Sequence, residues 1–159
     1  MQKLHKTNQK GFTIIEVLIV LAIAGLILLI VFLAVPALQR NSRNTGIKND
    51  AQNVLGGVGE FRGANNGKNP ASVDGTGTIT YKLATGGNNT EIRVNGSTLV
   101  KTVTSKPDNT MNSGEVHAMI GQKCNDPEGT NVTAANRSVA AFFVIETSGS
   151  NKALQCVDS

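Results

Sequence analysis

The chain has 159 residues, enough for one membrane segment and one small domain of roughly 100 residues by the usual length prior. Its formal charge of +4 belongs to the front end: Lys3, Lys6 and Lys10 lie before an apolar run, no acidic residue stands among the first ten, and the remainder is close to neutral. That remainder has no basic stripe interleaved with aromatics, so nucleic-acid binding gains little support, and its wealth of Gly, Asn, Ser and Thr after residue 62 reads as short strands and turns rather than an α/β enzyme.

In chain order, the first informative stretch is Lys10-Gly11-Phe12-Thr13-Ile14-Ile15-Glu16, followed by nineteen residues, Val17 to Val35, without one polar side chain. As a helix rising 1.5 Å per residue, such a run nearly spans the ~30 Å hydrocarbon core of a bilayer. A chain this small could not cover it on all sides. The run exceeds the roughly 7–15 apolar residues of a secretory signal, and Ala34-Val35-Pro36-Ala37 makes a poor A-x-A cleavage site. A plain signal anchor stays open, because the positive flanks are nearly balanced: three Lys precede the run, and Arg40, Arg43 and Lys48, offset by Asp50, follow it.

Glu16 is the residue that demands a partner. A carboxylate inside a membrane helix costs about 2.5–3.5 kcal/mol at the centre and less towards the end. If the chain were cut between Gly11 and Phe12, Phe12 would gain a free α-amine, and Glu16 lies four residues further on. Its carboxylate could face that amine or the amine of a neighbouring subunit, and the second arrangement would set the axial register of packed helices.

The combination of a short basic leader, Gly11-Phe12-Thr13, two aliphatics, Glu16 and a long apolar helix resembles the class III signal of type IV pilins and pseudopilins. Gly25 matches a glycine common in that family's helix, and Ala34-Val35-Pro36-Ala37-Leu38-Gln39 is similar to its proline segment, although Pro36 comes later than in many Gram-negative members. The resemblance covers about residues 1 to 40. It implies cutting after Gly11 by a membrane aspartyl prepilin peptidase, N-methylation of Phe12, and pairing of Glu16 with a neighbour's N-terminus. It also implies self-assembly into a helical homopolymer with the help of a platform protein and an assembly ATPase, starting from a lipid-embedded precursor. A bend is expected near Pro36, since proline removes one helical hydrogen bond and clashes with the preceding turn.

Beyond Pro36, Ile47, Ala51, Val54, Val58 and Phe61 recur every three or four residues and form one apolar stripe. Gly46, Gly56, Gly57 and Gly59 weaken this helix by about 1 kcal/mol each relative to Ala, which suits a helix laid on a sheet. It is expected to end before Asn65-Asn66-Gly67. Thr78 to Leu83 reads as a strand. Glu91 to Val94, the Asn95-Gly96 pair and Ser97 to Val103 read as a hairpin, because Asn-Gly accepts the positive φ of a type I′ turn. Glu115 to Gly121 is strand or a turn of helix. Ser138 to Thr147 and Lys152 to Val157 read as a second hairpin, with Ala140 to Ile145 a central strand packed on Ile47, Val54 and Phe61.

Cys124 and Cys156 are the only cysteines, and their separation excludes a CxxC redox or zinc pattern. In a domain held outside the cytoplasm they would form a disulfide, worth roughly 3–4 kcal/mol on the chain-entropy model; two free buried thiols are the alternative. Pilins commonly carry a C-terminal disulfide loop in a similar place. His5 and His117 stand apart and form no triad or metal cluster, no cofactor is expected, and Asp126 and Glu128 near Cys124 lack the spacing of a calcium loop. Asn88, Asn95, Asn131 and Asn136 each open an N-x-Ser/Thr triplet, in a composition where chance matches are common.

The expected fold is α+β and pilin-like, a long N-terminal helix packed on a small antiparallel β-sheet. The expected division is a cytoplasmic leader at 1–11, a transmembrane and filament-core helix at 12–36, an amphipathic continuation at 37–62 and a β-rich head at 63–159. The expected role is structural, not enzymatic: a precursor processed and polymerised into a surface pilus serving adhesion, motility or DNA uptake, with DNA or cell surfaces as open partners. A pseudopilin or minor pilin of a type II secretion or competence system is the alternative within the family, and a membrane-anchored binding domain that never polymerises is the alternative outside it.

Overall fold

The computed structural model describes residues 11–87, 89–128 and 131–159. The leader residues Lys3, His5, Lys6 and Lys10, and Asn88, lie outside the described residues. The chain forms two compact units, Met1–Gln39 and Arg40–Ser159. Its one described α-helix, α1 (Ile14–Ala64), contributes to both.

In the first unit every residue from Gly11 to Gln39 is exposed. Large apolar side chains are exposed on all sides of the helix, with Leu18 60%, Leu26 61% and Leu33 74% exposed. Among the described residues this is the one helix long and apolar enough to cross a membrane.

In the second unit the apolar stripe of α1 does bury: Ile47, Ala51, Val54, Leu55, Val58 and Phe61 are inaccessible or nearly so. The helix stops at Ala64, where Asn66 (φ 54°) and Gly67 (φ 76°) turn left-handed and the Gly67 N–H donates to the Arg62 carbonyl at 2.8 Å. Seven strands follow: β1 (Ser72–Thr76), β2 (Thr78–Lys82), β3 (Thr90–Arg93), β4 (Leu99–Thr102), β5 (Glu115–Cys124), β6 (Val132–Glu146) and β7 (Lys152–Asp158). They form one sheet in the order β3-β2-β1-β4-β5-β6-β7, antiparallel except for the parallel β4–β5 pair. The fold is therefore α+β, with a long N-terminal helix packed on a seven-stranded, mostly antiparallel sheet, as pilin-like architecture requires.

The helix stripe meets Val73, Ile79, Tyr81, Val100, Val116, Ala118, Val139, Ala141 and Phe143 in a single core. Tyr81 lies across Gly57, where any Cβ would run into its ring, and its hydroxyl donates to the Val54 carbonyl at 2.8 Å. Burial pushes the Tyr81 phenol well above its usual range. One glycine expected to weaken the helix is thus the recess that lets the only tyrosine in.

Two expectations need correction. Glu91–Val94 and Ser97–Val103 do not form a hairpin with each other. The β1–β2 hairpin is inserted between them: β3 pairs with β2, and β4 pairs with β1 and β5. The Asn95–Thr98 turn passes around the tip of that hairpin, where the Gly77 carbonyl accepts from Val94 N at 2.9 Å and Gly77 N donates to the Thr98 carbonyl at 3.3 Å. Gly77 itself has φ 69°, and a Cβ there would sit 3.2 Å from the Gly96 Cα. The second correction concerns β6, which is next to the sheet edge rather than central. Its alternate residues Ala140, Phe142 and Val144 face a second cluster with Met111, Met119, Leu154 and Cys156 on the opposite side. Glu115–Cys124 resolves as strand, and the β6–β7 hairpin pairs as expected, Glu146 opposite Lys152.

Candidate functional site

The candidate site is the front of α1 and its apolar continuation. Gly11, Phe12 and Thr13 precede the helix. Phe12 is 88% exposed and Gly11 has open space where a Cβ would lie, so among the described residues nothing obstructs the Gly11–Phe12 bond.

Thr13 and Glu16 form a capping box. The Glu16 Oε2 accepts from the Thr13 N–H and from the Thr13 hydroxyl, both at 2.8 Å, and the Thr13 Oγ1 in turn accepts from Glu16 N at 3.3 Å. Two backbone donors at the helix start are satisfied reciprocally, as a T-x-x-E sequence allows. Only Oε2 is engaged in these bonds, and among the described residues Oε1 on the same carboxylate has no donor. The role of Thr13 is legible in the sequence only as the T-x-x-E spacing of a capping box.

From Val17 to Val35 the helix offers nothing polar except its own backbone, and α1 runs on through Pro36. Proline has no N–H, so the Phe32 carbonyl loses its usual helical donor there.

Just beyond, α1 is tied to the β6–β7 end of the sheet. Arg40 Nη1 donates to the Thr147 carbonyl at 3.1 Å, and Arg43 forks onto Glu146, with Nε to Oε1 at 3.0 Å and Nη2 to Oε2 at 2.5 Å. The Asn44 side chain mimics a strand neighbour: Nδ2 donates to the Glu146 carbonyl, and Oδ1 accepts from Glu146 N, each at 2.8 Å. The bond from Arg43 holds the Glu146 carboxyl below its ordinary value against a smaller opposing effect of burial. In the sequence Arg40 and Arg43 read only as topology charges, and nothing local marks Asn44. Their partners lie more than a hundred residues away, so no local signal pointed to the contact.

Cys124 on β5 and Cys156 on β7 are joined by a disulfide, with Cα atoms 6.0 Å apart. The Pro127 carbonyl accepts from Cys156 N at 3.0 Å and Asp158 Oδ2 from Cys124 N at 2.9 Å, so the loop after β5 is folded onto β7. Asp126 accepts from Asn131 N at 3.2 Å, and among the described residues no three His, Cys, Asp or Glu side chains gather as a metal group. His117 meets Glu115 at 3.1 Å; Glu115 also takes bonds from Asn112 and Lys101. Burial alone would raise the Glu115 carboxyl, but these donors outweigh it and hold it below the usual value.

Residues 6–32 match the family model of the prokaryotic N-terminal methylation motif, and with it the chain carries the class III signal of type IV pilins and pseudopilins. No curated protein and no solved structure matches the chain. The motif, the all-round apolar helix and the α+β unit with its disulfide together mark a type IV pilin-like precursor.

Proposed function

We propose that the chain is cut between Gly11 and Phe12 by a prepilin peptidase, methylated on the new Phe12 amine, and polymerised into a surface filament. The division that goes with this reading is a leader at 1–11, a membrane and filament-core helix at 12–36, its amphipathic continuation at 37–62 and a head at 63–159. The observation that carries it is the apolar run from Val17 to Val35, exposed on every side of a chain whose other apolar stripe is well buried. A helix apolar all round needs either lipid or other apolar helices. Leaving the bilayer for a filament exchanges one cover for the other, at about 25 cal/mol per Å² of any apolar area that would otherwise meet water.

Glu16 supports the register role in a specific way. Its Oε2 caps the helix through Thr13, and both residues lie after the cut, so processing leaves the cap whole. The remaining oxygen can accept a neighbour's Phe12 amine, pairing two charges that are otherwise expensive in apolar surroundings. Pro36 is the point of weakened helical bonding between the two kinds of helix surface.

Glu16→Ala is the direct test. The variant should still enter the membrane, because it loses a charge, but should yield few or no sheared filaments. Normal filament yield would remove the register role. A membrane-anchored monomer would keep all of its function in this variant.

A further inference from the structure

The sequence contains two Asn-Gly steps, Asn66-Gly67 and Asn95-Gly96, and all four residues are exposed. Their backbones differ. Gly67 N–H is locked in a 2.8 Å bond to the Arg62 carbonyl at the end of α1. Gly96 N–H makes no hydrogen bond among the described residues. The Asn95 turn is otherwise held in place: Asn95 N donates to Asp50 Oδ1 at 3.1 Å, and the Asn95 carbonyl accepts from Thr98 N at 2.9 Å. The Asn95 side-chain oxygen accepts from both Ser97 N (3.3 Å) and Ser97 Oγ (3.2 Å).

We infer that Asn95, and not Asn66, is a site of spontaneous deamidation in the folded protein. The Gly96 nitrogen, on losing its proton, attacks the Asn95 Cγ. A C–N bond forms, the Cγ–Nδ2 bond breaks, and ammonia departs with the transferred proton. Water then opens the succinimide. Hydrolysis at Cγ gives aspartate, and hydrolysis at the main-chain carbonyl gives isoaspartate. Oxidation states do not change. The two Ser97 donors face the oxygen on which negative charge builds during the attack, so they stabilise that intermediate as donors in an oxyanion hole do. At Asn66 the nucleophile must first be released from Arg62.

The product places a carboxylate in a turn whose backbone rests on Asp50, itself a buried acid held by Thr98 Oγ1 at 2.6 Å. Two like charges at that spot weaken the attachment of the 94–98 turn to α1.

The test incubates the full chain in detergent in mildly alkaline buffer, native and in urea, and follows both steps by peptide mapping for the mass gain of amide to acid. In the native protein Asn66 should be slowed about tenfold relative to urea, the scale of one protected backbone hydrogen bond, while Asn95 retains a rate comparable to its unfolded one. Ser97→Ala should slow Asn95 only in the native sample. Suppression of Asn95 by folding as strong as that of Asn66 would overturn the inference.

Discussion

Helix α1 carries two apolar surfaces that are built on different rules. From Val17 to Val35 every position is apolar and all are exposed. From Ile47 to Phe61 apolar residues recur at helical spacing, and that stripe lies under a sheet while Lys48, Gln52 and Glu60 face water. The second surface has found its partner within the chain. The first has no stripe to turn inward, and its partner must be another medium or another molecule. Burial in a fold and burial in a membrane or filament are thus separable demands on one helix.

Substitutions should break these two demands independently. Phe61→Ala, which empties a fully buried site between α1 and Tyr81, should destabilise the second unit by about 3–5 kcal/mol. Thermal unfolding would measure that loss, and membrane association should be unchanged. Leu26→Arg, in the middle of the first surface, should oppose membrane insertion by about 2.5–3.5 kcal/mol. Membrane fractionation would report it, while the unfolding midpoint of the second unit should stay in place. A large effect of either variant on the other's readout would show that the two surfaces are not separable.

A smaller effect sharpens the description of the packed unit. Glu115 has a folded-state pKa below its unfolded value, so its contribution to stability is present above the unfolded pKa and fades as pH falls through the lower folded one. Glu115→Gln should flatten that acid-side slope in a series of melts and leave stability at neutral pH with a milder loss. An unchanged slope would mean that Asn112, His117 and Lys101 do not act on the carboxylate in solution.

How much was legible follows from how local each signal is. The apolar run, the buried stripe, the helix end at Asn65-Asn66-Gly67 and the β6–β7 hairpin all depend on neighbours a few residues apart, and the structure has them where the pattern placed them. The Asn95-Gly96 turn is also local, but strand pairing is not. A turn does form there, with Thr98 N donating to the Asn95 carbonyl, but neither Asn95 nor Gly96 takes the positive φ of a type I′ turn, and another hairpin took the edges it was expected to join. The ties from Arg40, Arg43 and Asn44 to Glu146 and Thr147 connect distant segments and left no periodic trace. The second apolar cluster under Met111 was hidden for a related reason. Ala140 to Val144 reads as a continuous apolar run, and only the sheet's two covered faces divide it between separate cores.

The intact mass and first residue of the protein extracted from membranes test the central claim most directly. A mature chain starting at Phe12, with or without an added methyl group, is the predicted result. A working protein that keeps Met1 to Gly11 attached would contradict it.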